Sequence, residues 1–216
     1  MIKLQKLQKP ETLNSQATHW TEQLMALVNA GQPIPSALQS RYKQPDVKAQ
    51  LERETYGKCM YCESKIGHIA YEHIEHIKPK AVGRYPALTF DWNNLGLACP
   101  KCNGNKGDSY DEQVPYVNPY VDDPTDFLTA FGALIYHRLG NARGELTEKG
   151  LDLNRLQLIE QRKERLDAIR LLFDRHMAEQ KPAMKELLRS EIEAELEKDK
   201  PYSYCAKSLF AQFFTG

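Results

Sequence analysis

Two Cys-x-x-Cys pairs constrain this chain more than any other feature of its sequence. They are Cys59/Cys62 and Cys99/Cys102. A tight turn within each pair places two thiolates on one side of a metal ion, so two pairs close a tetrahedral site. Four thiolates leave no coordination position open for chemistry, and we therefore predict a structural zinc ion. The fifth cysteine, Cys205, lies alone in the sequence and is interpreted as a free thiol.

The composition is typical of a soluble protein from a reducing compartment. The chain has 216 residues, of which 41% are hydrophobic, which is enough for a substantial core. No run approaches the roughly 20 apolar residues that span a bilayer, and the start lacks the apolar stretch of a secretory signal. An odd number of cysteines, four of them in close pairs, suits metal binding better than disulfides. We expect a cytoplasmic protein with no membrane partner.

The charge balance limits how the chain can hold nucleic acid. Lysine and arginine total 29, as do aspartate and glutamate, so the formal net charge is zero. A chain without a global positive field binds a phosphate backbone weakly and with strong salt sensitivity. Any nucleic-acid contact is therefore expected to be local, or to be shared with a partner that holds the substrate.

The sequence divides into three segments. Residues 1–56 are predicted to contain an N-terminal arm and helices, residues 57–108 the metal-bearing module, and residues 109–216 a linker, a hairpin and a C-terminal helical region. In the first segment we expect an extended arm before Pro10, a helix over Ser15–Ala30 and a second helix from Asp46 to Gly57.

The third segment is predicted to be mainly helical after a hairpin around Gly132. Asn154 is the expected N-cap of a long helix, and Pro182 the start of another. The long helix has an apolar stripe, which indicates core packing; its members are Leu156, Ile159, Leu166, Ile169, Phe173 and Met177. The terminus is unusually apolar, and we expect it to pack on its own domain, with a partner surface as the alternative; the residues are Leu209, Phe210, Phe213 and Phe214.

The central segment is predicted to fold as strand, loop, strand and helix. The first strand covers residues 71–78 and ends at Pro79, because proline cannot donate to a strand ladder. The second begins within residues 89–92. Pro100 suits the first position of a short helix that carries Asn103 and Lys106.

This order and its residues resemble the HNH endonucleases, whose active site is a ββα-metal fold. The motif is Glu75-His76-Ile77-x-Pro79, then Asn94-Leu95, then Cys99-x-x-Cys102-Asn103-x-x-Lys106. More narrowly, the runs CMYCES, EHIKPK, FDWNNL and CPKCNGNKGD resemble the PtuB-like HNH subunits of Septu-type antiphage defence systems, which act with a PtuA-like ATPase. The resemblance extends from about Tyr56 to Arg170. It implies a mostly helical α+β protein in which a ββα-metal core with a four-cysteine zinc site lies between N-terminal and C-terminal helices.

The chemistry of phosphodiester hydrolysis suggests a role for each motif residue. His76 is the predicted general base, because a neutral imidazole can accept a proton from water. Glu75 and Asn103 offer hard oxygen ligands for a catalytic divalent ion, expected to be Mg²⁺. By resemblance, Asn94 ties the loop to the strands. The expected phosphate-binding side chains are Lys106 and Lys80.

Several alternatives stay open at this level. His73, in the neighbouring Glu72-His73-Ile74, is a rival base, and Asn105 can replace Asn103 if the helix starts late. Adjacent strand residues point to opposite faces, so Glu75 and His76 share a site only if the strand bends there. The chain is predicted to be a metal-dependent HNH endonuclease, with DNA favoured and RNA possible as its substrate. The rival hypothesis is a non-catalytic zinc module that binds nucleic acid or protein.

Overall fold

A computed structural model describes residues 1–66 and 73–210. It is a mostly helical α+β structure, as predicted. The helices are α1 (Glu11–Asn29), α2 (Ser36–Gln39), α3 (Pro45–Thr55), α4 (Pro100–Lys106), α5 (Ala142–Gly150), α6 (Leu156–Ala178), α7 (Pro182–Glu195) and α8 (Ser203–Phe210). The strands are β1 (His73–His76), β2 (Leu95–Ala98), β3 (Leu128–Phe131) and β4 (Leu134–His137).

The central segment forms a two-stranded sheet with one helix beside it. β1 pairs antiparallel with β2, with His73 opposite Ala98 and His76 opposite Leu95. α4 then packs against β1. Its start is fixed by Pro100 in the first turn and by the Cys99 sulfur, which accepts a hydrogen bond from the Cys102 N–H. The predicted order of strand, strand and helix is therefore confirmed.

The second strand begins later than predicted. Residues 89–92 do not form a strand, because the Asp91 side chain accepts a hydrogen bond from the Asn93 N–H and turns the chain into a 3₁₀ turn over Trp92–Asn94. The strand follows directly, and all four residues of β2 are buried. Of the predicted first strand, residues 71 and 72 lie outside the described residues, as does His68.

The N-terminal arm packs along the sheet and α3. The Leu4 N–H donates to Pro119 O at 2.9 Å, and the Lys6 ammonium donates to Leu95 O at 2.7 Å. The Leu7 N–H donates to the Glu54 carboxylate at 2.7 Å, while Leu7 O accepts from the Trp92 indole at 2.9 Å. These bonds show which surface the arm packs against, which the sequence analysis did not predict.

The hydrophobic core has two parts. The larger cluster draws residues from all three predicted segments, for example Leu24, Leu97 and Leu153. The smaller cluster joins α6, α7 and α8, where the Phe173 and Phe210 rings stack 4.6 Å apart. The terminal Leu209 and Phe210 pack within the chain, as expected. Phe213 and Phe214 lie outside the described residues.

The predicted stripe of α6 is only partly buried. Leu166, Ile169 and Phe173 lie in the core, but Ile159 is half-buried, Leu156 is 65% exposed and Met177 is 69% exposed. The reason is geometric: Leu156 and Met177 lie at the ends of a 23-residue helix, whereas its partners α7 and α8 meet the central members.

The hairpin around Gly132 is confirmed, since β3 and β4 pair antiparallel and Gly132 has φ 58°. The predicted cap of the long helix is wrong. Asn154 instead binds the β4 backbone, with its Oδ1 accepting from the Ile135 N–H at 2.9 Å and its Nδ2 donating to Ile135 O at 2.6 Å. α6 begins two residues later, and α5 has no counterpart in the prediction. Among the described residues, none of the helices is long and apolar enough to cross a membrane.

Candidate functional site

The four paired cysteines converge on one point. Their sulfur atoms all lie within 4.8 Å of one another, and those of Cys62 and Cys99 are 3.9 Å apart. A tetrahedral zinc ion with Zn–S bonds of about 2.3 Å requires sulfur atoms about 3.8 Å apart. Within residues 1–66 and 73–210, this is the one cluster of three or more Cys, His, Asp or Glu side chains placed to hold a metal. The cysteines are placed to bind a metal ion, and their spacing fits zinc.

Backbone hydrogen bonds hold the turn that contains the first cysteine pair, independently of any metal ion. Gly57 adopts φ 66° just ahead of Cys59, and a left-handed conformation is one that glycine adopts without strain. The Cys59 N–H donates to Ser64 O at 2.9 Å. The Met60 N–H donates to Leu97 O, also at 2.9 Å. The turn is thereby tied to β2, which leads directly to the second pair.

Arg155, to which the sequence analysis assigned no role, lies beside the cysteine cluster. Its Nη1 lies 3.7 Å from the Cys102 sulfur and its Nη2 lies 3.8 Å from the Cys99 sulfur. Burial alone would lower the pKa of the guanidinium, but the sulfur atoms of Cys102 and Cys62 raise it. Residues 150–155 were part of the family resemblance, yet only the fold brings Arg155 to the metal site, from 53 positions beyond Cys102.

One face of β1 looks toward α4. Side chains alternate along a strand, so His73 and Glu75 share this face. Asn103 bonds to His73 at 2.9 Å through Nδ2 and Nδ1, at an exposed position. Deeper in the groove, the Lys106 ammonium lies 2.7 Å from Glu75 Oε1 and donates to His76 O at 2.9 Å. The Tyr61 hydroxyl donates to the same Glu75 oxygen at 3.3 Å.

The buried position of Lys106 differs from the sequence expectation. Lys106 was predicted to bind phosphate, but it is 2% exposed and its ammonium faces Glu75 inside the protein. Lys106 lies on α4 one helical turn beyond Cys102. This position places its side chain beneath β1, inside the protein. Lys80, the other predicted phosphate ligand, is half-buried on the loop after β1, and its ammonium lies 6.0 Å from the centre of the Tyr42 ring.

His76 lies on the opposite face of β1 from Glu75. Its Nε2 is 3.0 Å from Thr89 O, and its ring meets the Tyr42 ring edge-on at 4.6 Å. A carbonyl oxygen can only accept, so the hydrogen bond assigns the proton to Nε2 and leaves a lone pair on Nδ1. Burial lowers the pKa of His76 to about 4. The imidazole is therefore neutral across the physiological pH range.

Asn94 joins the two strands and the loop between them. Its Oδ1 accepts from the Lys78 N–H at 2.7 Å, and its Nδ2 donates to Lys78 O at 2.9 Å and to Leu88 O at 3.1 Å. Asn105, the alternative to Asn103, turns the other way and donates to Leu151 O at 3.1 Å. Of the two helix asparagines, Asn103 is the one that faces β1.

A second, oxygen-ligated cation would find a carboxylate, an amide and an imidazole in the groove between β1 and α4. Carboxylate and amide oxygens suit Mg²⁺. Glu75 Oε1 already accepts two hydrogen bonds, and burial raises the pKa of this carboxyl although Lys106 opposes the rise. A divalent ion bound through Glu75 would share the carboxylate with the Lys106 ammonium or displace it. The donor types fit the ion.

Comparison with known proteins agrees with this geometry. Residues 59–109 match the family model of the HNH endonucleases. The chain is 29% identical over 157 residues to Septu protein PtuB of Bacillus thuringiensis, a match that covers 72% of this chain and 56% of that protein. It is 33% identical over 150 residues to Septu protein PtuB of Bacillus mycoides (strain KBAB4), covering 56% of this chain and 51% of that protein.

The chain thus spans about half the length of the two relatives that it matches. The family match begins at Cys59 and ends just beyond α4, so it encloses β1, β2 and α4, which carry the motif residues. Residues 59–109 therefore form an HNH domain, within a chain that is similar to Septu protein PtuB.

Proposed function

We propose that this chain is a metal-dependent HNH endonuclease that hydrolyses phosphodiester bonds of nucleic acid. The observation that carries the proposal is the state of His76: its Nε2 is bonded to Thr89 O, so its Nδ1 has a free lone pair, and its pKa of about 4 keeps it neutral. A neutral imidazole held in one tautomer is suited to accept a proton from an attacking water.

The other motif residues have supporting roles in this proposal. Asn94 holds Lys78 and Leu88 by three hydrogen bonds, which fixes the loop after His76. Glu75 and Asn103 would hold the divalent ion, proposed to be Mg²⁺, which when bound supplies Lewis-acid stabilisation of the phosphate charge. Because Glu75 and His76 point to opposite faces of β1, the proposal requires the scissile phosphate to bind at the end of the strand, where His76 is the last residue. Lys106 balances the Glu75 carboxylate, and the partly exposed Lys80 remains the proposed phosphate contact. The four cysteines hold zinc as a structural ion.

The biological setting follows from the relatives alone. Both are named as Septu proteins, so we propose a role in antiphage defence in the cytoplasm together with a PtuA-like ATPase. A net charge of zero agrees with a nuclease whose substrate is held in part by a partner. DNA is the favoured substrate.

The test is cleavage of plasmid DNA and total RNA by the purified protein, with Mg²⁺ or without it, with and without an ATPase partner. The control is a His76→Ala variant that is folded and zinc-loaded. Divalent-dependent cleavage that the variant lacks would support the nuclease and identify its preferred polymer. No cleavage under any of these conditions would favour the non-catalytic zinc module.

A further inference from the structure

Two tyrosines and a lysine form a small surface next to the proposed catalytic site. The rings of Tyr85 and Tyr110 meet edge to face with centroids 5.5 Å apart. The Lys78 ammonium lies 5.0 Å from the centre of the Tyr85 ring and 5.4 Å from that of Tyr110. We call these three residues the tyrosine platform.

The platform is held close to His76 by the backbone. Lys78 follows His76 by two residues, which is at most about 7 Å along an extended chain. Both backbone polar groups of Lys78 are bonded to the Asn94 side chain, so Lys78 cannot shift independently of the site. Tyr85 is fixed by its N–H, which donates to Pro79 O at 3.0 Å. A molecule seated on the platform therefore lies near any phosphate that reaches His76.

The ion pair at the platform contributes little to stability. Lys78 pairs with Glu112 at 3.4 Å, and the Tyr85 hydroxyl donates to Glu112 at 2.9 Å. The Lys78 side chain is 36% exposed and that of Glu112 is 67% exposed. Exposed ion pairs of this kind contribute little to folding. The cluster instead arranges aromatic rings at the surface.

A cavity adjoins the platform. It has a volume of about 410 Å³, and its lining includes Lys78 and Tyr110 of the platform, Tyr116, and the amides of Asn93 and Asn118. The lining also has three charged residues, Asp91, Asp122 and Arg143, of which Asp122 and Arg143 form an ion pair. This volume lies within the range of small-ligand pockets. Aromatic walls with amide side chains offer stacking and hydrogen bonds, which are the two interactions that recognise a nucleobase.

The charge distribution also favours recognition through a nucleobase. Lys78 and Glu112 neutralise each other, and the chain as a whole has no net charge, so phosphate attraction alone gives little affinity. Stacking on aromatic rings is an alternative source of affinity that needs no net charge. Only unpaired bases can stack on the tyrosines, because the ring faces of paired bases are covered inside a duplex.

We propose that the tyrosine platform binds an unpaired nucleobase beside the scissile phosphate, so that the substrate is single-stranded nucleic acid or a locally opened strand. This inference rests on the proposed nuclease function and names the substrate class of the same site. DNA and RNA present the same stacking chemistry here, and the experiment distinguishes them.

The test measures binding rather than cleavage. Fluorescence anisotropy would compare labelled single-stranded DNA, single-stranded RNA and duplex DNA of one sequence, using His76→Ala protein so that the probes stay intact. In that background Tyr85→Leu and Tyr110→Leu remove an aromatic face, whereas Tyr85→Phe and Tyr110→Phe keep it. Tyr136→Leu, at a 42% exposed tyrosine on β4, is the matched control outside the platform.

We expect each leucine variant to lose roughly tenfold in single-strand affinity. The phenylalanine variants and Tyr136→Leu should bind as the parent does, and duplex affinity should change little. Whichever single strand, DNA or RNA, shows the larger loss is the substrate type. Equal affinity of the leucine and phenylalanine variants, or preferential binding of duplex, would overturn the proposal.

A second measurement uses the unmodified protein and does not depend on the folding of any variant. Photo-crosslinking of a bromouracil-containing single strand, followed by mass spectrometry, should label Tyr85 or Tyr110, and labelling only elsewhere would refute the platform. Failure of the two proposals is distinguishable. Cleavage by a protein whose platform variants bind normally refutes the platform alone, whereas tyrosine-dependent binding without divalent-dependent cleavage refutes the nuclease alone.

Discussion

The Lys106 ammonium lies 2.7 Å from the Glu75 carboxylate, and the two residues are each 2% exposed. The pair joins α4 to β1 inside the HNH domain. Removing one partner of a buried ion pair leaves the other charge uncompensated, which is far more costly than removing both.

We therefore expect Lys106→Met to lower the free energy of unfolding by about 3–5 kcal/mol. The double variant Glu75→Gln with Lys106→Met should recover much of that loss, because no unpaired charge remains. Urea denaturation of the single and double variants measures both effects. Lys101→Met, at an exposed position of the same helix, should change stability by less than about 0.5 kcal/mol. Equal stability of Lys106→Met and the parent would contradict this interpretation.

The cysteine cluster predicts that zinc and folding are coupled. Cys62→Ser or Cys99→Ser should lose most of the bound zinc and unfold at a much lower temperature, since metal binding contributes directly to folding in such sites. Cys205→Ala removes the buried cysteine outside the cluster and should keep its zinc. Elemental analysis and thermal denaturation give the two readouts. Full zinc retention by Cys99→Ser would exclude the four-thiolate site.

Arg155 should slow the loss of the metal. Its guanidinium lies 3.7–3.8 Å from the sulfur atoms of Cys99 and Cys102 and offsets their negative charge. Changes in the second shell of a metal site typically cost about 10–100-fold in affinity. Arg155→Gln should therefore release zinc to a chromogenic chelator at least about tenfold faster. Arg170→Gln, at an exposed position of α6, the helix that follows Arg155, should release it at the parental rate, and matching rates for the two variants would count against this role.

Burial of His76 makes stability depend on pH. Its pKa is about 4 in the folded protein, against about 6.5 in an unfolded chain. Between these values the unfolded state binds the proton and the folded state does not, so stability falls as the pH drops. The contribution lost between about pH 7 and about pH 5 is on the order of 2 kcal/mol.

His76→Gln keeps an amide donor for Thr89 O but does not titrate, so its stability should decline less steeply over this range. Urea unfolding at several pH values, compared between the two proteins, isolates the contribution of His76. Parallel stability curves for the parent and the variant would show that His76 is not buried in its neutral form.

Local features of the site could be predicted from the sequence. The Cys-x-x-Cys spacing fixed the cysteine turns, and Pro100 after Cys99 indicated the start of α4, because both depend on interactions within a few residues. The second strand was placed too early, since an Asp91 side-chain bond to the Asn93 backbone competes with the strand and is invisible to residue patterning.

Long-range contacts could not be predicted in this way. Arg155 reaches the cysteines, and Asn154 binds β4 rather than capping α6, only because the hairpin and α6 fold back on the first two segments. The burial of Lys106 likewise depends on the packing of α4 on β1. The orientation of Glu75 and His76 could be predicted in part. Side chains alternate along a strand, so the sequence indicated opposite faces unless β1 bends, and the structure places the two side chains on opposite faces.

The most direct test of the account compares the two histidines of β1. Divalent-dependent cleavage would be measured under single-turnover conditions for the parent protein, His76→Ala and His73→Ala, each with confirmed zinc content. Removal of a general base costs about 10²–10⁴-fold in rate. We predict a loss of this size in His76→Ala and a loss of less than about tenfold in His73→Ala, whose imidazole bonds to Asn103 at an exposed position. The reverse order of losses, or undiminished cleavage by His76→Ala, would contradict the assignment of His76 as the base.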